Sequence, residues 1–211
     1  MGQGGYVFCE LNSVQPSYPS FQRAFAALEA KAIASCTESW YPTKTSQQAF
    51  GGLVTNAGQF GRTTIMPELF NDHSGVQMTN WRQLFTTAGH QTLITGTRTG
   101  NTIPEDFKIA WIGLAFPNKN EHITEVKWQI GDRKFGRIDL EEMLVTNKPA
   151  VVFEEGVLIE EEEAFDLYGY VEGPIPVAHD NYTGVHQRIV MLGAAYYKVV
   201  DKVLGNCGAA I

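Results

Sequence analysis

The chain has 211 residues, 44% hydrophobic and 18% charged, enough to bury a sizeable core within one domain. Its net charge of −7, with 16 scattered basic residues, argues against a general electrostatic affinity for nucleic acid or anionic membranes. No window approaches 18 uninterrupted apolar residues, so no transmembrane segment is expected.

The opening MGQGGYVFCELN lacks the basic and apolar regions of a secretory signal. It starts with Met-Gly, but Tyr6 stands where a myristoylation pattern wants Ser or Thr. The three cysteines, Cys9, Cys36 and Cys207, have neither the number nor the spacing of a disulfide framework or a zinc site. They read as small buried free thiols, with a bridge between two of them left open.

Residues 1–19 read as an irregular N-terminal arm, broken by Pro16 and Pro19. Residues 20–36 give the one convincing helix. There Phe21, Phe25, Leu28 and Ala32 form the stripe of an amphipathic helix. A Gly-rich connector follows, so residues 20–75 are expected to pack as a unit on a β domain or on a neighbour. Long irregular segments of this kind are often contact elements.

From residue 76 to 203 the pattern is β. FKIAWIGLAF, residues 107–116, is apolar almost throughout, which predicts a central strand covered on both faces. ITEVKWQI, a Gly131-Asp132 turn and KFGRIDL predict a hairpin. AVVF, EAFDLYGYV and the apolar run from Gln187 to Val200 supply the remaining strands. Residues 204–211 form a small, apolar C-terminal tail. The fold class is therefore mainly β. It is an antiparallel β-sandwich, jelly-roll-like, with one N-terminal amphipathic helix and long irregular N-terminal segments. We do not split the chain into separately folding domains.

No nucleophile elbow, P-loop or dinucleotide-binding motif occurs, so no enzyme activity and no cofactor are expected. The five histidines lack metal-ligand spacing. The densest charge cluster is Glu160, Glu161, Glu162 and Glu163, with Glu154 and Glu155 nearby. It reads first as a solvated edge that discourages strand pairing. A cation held at a subunit interface by Glu160–Glu163 is the metal-binding alternative.

The arm, Ala-rich helix, irregular connector and strand series, with DFKIAWIGLAF, EVKWQIGDRKFGRI and RIVMLGAAYYKVV, resemble a single jelly-roll capsid subunit of an icosahedral virus. The resemblance covers roughly residues 76–203 and is one of pattern. The chain departs from many such coats in lacking a basic N-terminal arm. The resemblance implies a self-assembling subunit whose partners are further copies and other structural proteins of the assembly. No sequence-specific nucleic-acid binding is expected. Its place would be the virion, or the cytoplasm if the chain is not viral. Candidate subunit contacts are Tyr6, Phe8, Leu11, Phe50, Leu53, Phe60 and Ile211. The rivals are a carbohydrate- or ligand-binding β-sandwich, an enzyme on the same scaffold, and a filament or surface-layer subunit.

Overall fold

The computed structural model describes residues 5–14, 19–40, 60–117, 120, 122–173 and 184–198. They form a mainly β, antiparallel structure. One sheet has the order β1 (Tyr6–Cys9), β10 (Ala150–Ile159), β6 (Phe107–Ala115), β13 (Val190–Lys198), β2 (Phe60–Thr64). The second has the order β3 (Phe70–Asn71), β5 (Gly89–Gly96), β11 (Phe165–Val171), β7 (Ile123–Ile130), β8 (Arg133–Lys134), with β9 (Ile138–Asp139) also on β7. A separate pair joins β4 (Arg82–Phe85) to β12 (Val185–Arg188). Side chains of both sheets meet in one core, where Trp111 contacts Trp128, Phe153 and Phe165 edge-on at 5.0–5.4 Å.

The pairings are nested in the sequence. β7 pairs β9, β6 pairs β10, β5 pairs β11 and β2 pairs β13. Two further pairings, β6 with β13 and β7 with β11, join these pairs into two sheets, and β1, β3 and β8 add to β10, β5 and β7.

Helix α1 (Pro19–Trp40) lies on the outer face of the first sheet. Its start at a proline suits the first turn, where the missing N–H costs nothing. The expected stripe is borne out: Phe21, Phe25, Leu28 and Ala32 are buried, and Cys36 and Trp40 extend it four residues past the expected end. The stripe packs on Ala110 and Ile112 of β6 and on Ala194 and Tyr196 of β13. Each large side chain buried there contributes about 1.5–3 kcal/mol relative to exposure.

β6 is therefore covered on both faces, as its continuous apolar run predicts. Ile109 and Trp111 face the opposite sheet, while Ala110 and Ile112 face the helix. Its register is broken at one point on both sides. Ile112 is skipped by β13, and four residues of β10, 153–156, stand opposite it. This bulge turns β10 away from β6. Gly156 lies within it, and a Cβ there would strike Leu28 of α1. A short helix α2 (Glu141–Thr146) leads into β10 and ends on Asn147 in the left-handed region.

The β structure starts earlier than residue 76. β1 lies inside the expected arm, and β2 and β3 lie inside the expected connector. The free thiols include Cys9, half-buried, and Cys36, fully buried; Cys207 and residues 204–211 lie outside the described residues.

Gly193 tests the sheet register. Its φ is +148°, and a Cβ there would collide with the carbonyl oxygen of Ala110. Gly193→Ala should destabilise the fold by about 3 kcal/mol, read as a lower midpoint in urea unfolding at unchanged slope.

Candidate self-association site and the acidic cluster

Lys108 is the one charged residue in β6, and alternation turns it to the helix side with Ala110 and Ile112. Its side chain is only 2% exposed. A buried ammonium needs several partners. It donates to Ser35 Oγ at 2.7 Å, to Ser39 Oγ at 2.7 Å and to Glu160 Oε2 at 2.5 Å. Its Nζ also lies 5.5 Å from the centre of the Trp40 ring. Ser35 donates in turn to Glu160 Oε1 at 2.7 Å.

The acidic cluster is therefore largely engaged by its own chain. Trp40 Nε1 donates to Glu161 Oε2 at 2.8 Å. Glu163 pairs with Arg133 at 2.6 Å and accepts from the Glu160 backbone N–H at 3.0 Å. Glu162 is the most exposed of the four, at a turn position with φ +57°. Glu160, Glu161 and Glu163 are thus half-buried with partners in their own chain, rather than a freely solvated edge, while Glu162 is exposed. Among the described residues no group of three or more His, Cys, Asp or Glu could hold a metal ion. The cluster instead fixes the C-terminal end of α1 to the β10–β11 turn. At the far edge, Glu29 does the same. It accepts from Tyr196 Oη at 3.0 Å and pairs with Arg62 at 2.7 Å.

The expected contact residues separate into three groups. Phe8 and Phe60 are corrected: both are buried in the chain's own cores. Phe8 lies between the sheets, and Phe60 lies against Trp40 and Tyr196. Tyr6 and Leu11 are exposed at 40% and 37%, and their neighbour Val7 at 54%. Phe50, Leu53 and Ile211 lie outside the described residues.

Tyr6 and Val7 belong to β1, which among the described residues pairs with β10 alone and forms one edge of its sheet. Two clefts flank this edge. The larger, about 790 Å³, opens on the helix side between Val7, Phe21, Ala24, Leu28, Val152 and Gly156. Arg23 and Lys31 of α1 and Glu154 and Glu155 of β10 also line it. The smaller, about 430 Å³, opens toward the sandwich interior between Tyr6, Trp128, Phe135 and Phe153. Trp128 is stacked there between Phe135 at 5.7 Å and Phe153 at 4.8 Å. The β10 bulge lies between both openings, with Phe153, Glu155 and Gly156 lining each of them. Sequence reading missed this edge because β1 is four residues long and its partner is more than 140 residues away.

Comparison with family models, with curated proteins and with solved structures gives no match.

Two measurements test the buried network. Glu160→Ala leaves the Lys108 ammonium buried without its carboxylate and should cost about 2 kcal/mol. Lys108→Met leaves Glu160, 40% exposed, to water and should cost about 1 kcal/mol or less. Equal losses in chemical denaturation would contradict this asymmetry. Burial also pushes the Cys36 thiol up to about 12, against a smaller opposing pull from Lys108. The unfolded thiol ionises near 9, so it loses its proton first as pH rises. Stability should therefore fall from about pH 9 to about pH 12, and Cys36→Ala should flatten that slope in a pH series of melting curves.

Proposed function

We propose that this chain is a structural, self-assembling subunit built on a jelly roll, in the class of virus coat proteins. The observation that carries this reading is the nested pairing of β7 with β9, β6 with β10, β5 with β11 and β2 with β13. A long antiparallel hairpin rolled into two sheets has this order, and that is the jelly-roll plan of two interlocked Greek keys. Fold alone does not assign function, since lectins and cupins share the plan. The assembly reading draws further support from the exposed Tyr6, Val7 and Leu11 gathered beside two open clefts. In this reading the partners are further copies and other structural proteins of the same assembly.

A second reading has its own observation. The smaller cleft combines the Phe135–Trp128–Phe153 stack with Arg133, Arg137 and Glu155, a set suited to a small polar ligand such as a sugar. It makes the chain a monomeric binding module.

Light scattering coupled to size exclusion, with electron microscopy of large species, separates the two. Closed particles or filaments of many 23.4 kDa subunits are expected. A monomer at every concentration and salt that also binds glycans would overturn the assembly reading in favour of the binding module.

A further inference from the structure

We propose that β1 is a self-complementary edge, at which two copies of this chain pair antiparallel about a two-fold axis in the register Tyr6 to Phe8, Val7 to Val7 and Phe8 to Tyr6. The proposal rests on the reading that copies of this chain associate, and it names the surface through which they do so.

The register follows from the backbone. Gly5 accepts a hydrogen bond from the Glu154 N–H at 2.8 Å, so its polar groups face β10. Successive residues of a strand direct their N–H and C=O to opposite sides. Val7 and Cys9 therefore also face β10, opposite Val152 and Ala150. The N–H and C=O of Tyr6 and of Phe8 are directed to the outer edge, where no described strand pairs with them. Two residues with outward groups, separated by one, form a palindrome. Placing Tyr6 opposite Phe8 of a second copy uses all four groups on each side and gives four new hydrogen bonds. The other two-fold registers, Tyr6 to Tyr6 or Phe8 to Phe8, need residues outside Tyr6–Cys9 to meet the remaining groups.

The side chains agree with this register. Tyr6, Val7, Phe8 and Cys9 are uncharged, so no like charges meet, and the second copy's Gly5 falls opposite Cys9. Val7, 54% exposed, meets Val7 of the second copy at a position where backbones approach most closely, and β-branched pairs suit such sites. Tyr6, already edge-on to Phe8 at 5.5 Å, stands across from the backbone of Phe8 of the second copy, whose own ring stays in its core. A two-fold axis normal to the sheet keeps each layer on its own side. It brings helix beside helix over the larger cleft and sandwich beside sandwich at the smaller one.

The other edges are unsuited. β3, β8 and β9 are two residues long, β2 carries Arg62, paired with Glu29, and β4 and β12 carry Arg82 and Arg188. Short or charged edges are the usual protection against pairing. β1 has neither a charge, a proline nor a bulge.

The test uses Val7, where each substitution meets itself across the axis. Val7→Lys and Val7→Glu should each weaken dimerisation about tenfold or more in sedimentation equilibrium. An equimolar mixture of the two should restore association as a heterodimer. Tyr6→Pro should also block pairing while retaining the bonds to β10, because the Tyr6 N–H faces away from that strand. Unchanged melting temperatures would separate these effects from misfolding. If V7K and V7E each associate like the parent chain, the β1 proposal is overturned and assembly proceeds through another surface. A parent chain that dimerises through β1 and goes no further supports the proposal and overturns the shell. A parent chain that is monomeric throughout overturns both.

Discussion

Covering β6 on both faces is the constraint on which the rest of the structure depends. A strand with Ile109 and Trp111 on one side and Ala110 and Ile112 on the other requires a second sheet below and a helix above. The second sheet supplies Trp128, Phe165 and Leu167, and α1 supplies its apolar stripe. The single charge in that strand, Lys108, then has to be satisfied inside the helix–sheet layer. Ser35 and Ser39 come from the last turns of α1, and Glu160 from the end of β10. The polar network thereby sets where the helix lies along the sheet, while the apolar stripe sets which face it presents. A slip of α1 by one turn would bury the ammonium without its hydroxyl partners, a cost that apolar packing alone would not impose.

The stripe of α1 and the continuous apolar run of β6 were legible in the sequence because both are local periodicities. Phe21, Phe25, Leu28 and Ala32 recur within 12 residues and are all buried. β2 was not legible. FGRTT has no two-residue alternation of apolar and polar side chains, and it becomes a strand through its pairing with Ala194–Lys198. The acidic run was misread for a related reason. Its partners stand far off in the chain, with Glu160 and Lys108 separated by 52 positions and Glu161 and Trp40 by 121. A signal was nonetheless present. A lysine within a strand predicted to be covered on both sides requires a carboxylate somewhere, and the densest supply was Glu160–Glu163. Phe8 and Phe60 show the opposite error, since an aromatic residue in an irregular stretch can be an anchor for its own core as easily as for a neighbour.

The β10 bulge links packing to the candidate interface. Its Gly156 leaves room for Leu28 of α1, and its residues line the clefts on both faces next to β1. The same irregularity that seats the helix leaves the edge strand only partly covered. Truncating the N-terminal arm would remove β1 and the buried Phe8 with it, so it would damage the core as well as any interface. Substitution at the half-exposed Val7 separates the two effects.

The nested pairing also has a consequence for the order of folding. The innermost of these four pairs, β7 with β9, closes a loop of 11 residues between Val126 and Ile138, while the outermost, β2 with β13, joins positions more than 120 residues apart. Loop-closure entropy makes the inner pairs the inexpensive ones to form, and the outer ones follow once the inner frame holds the ends together. On a chain emerging from the ribosome, α1 is made early but has no sheet to rest on until β6, β10 and β13 have all appeared. For most of its synthesis the molecule therefore presents the apolar face of α1 and the bare strand β1 to the surrounding medium. That interval is when association between nascent copies, productive or otherwise, is least restrained.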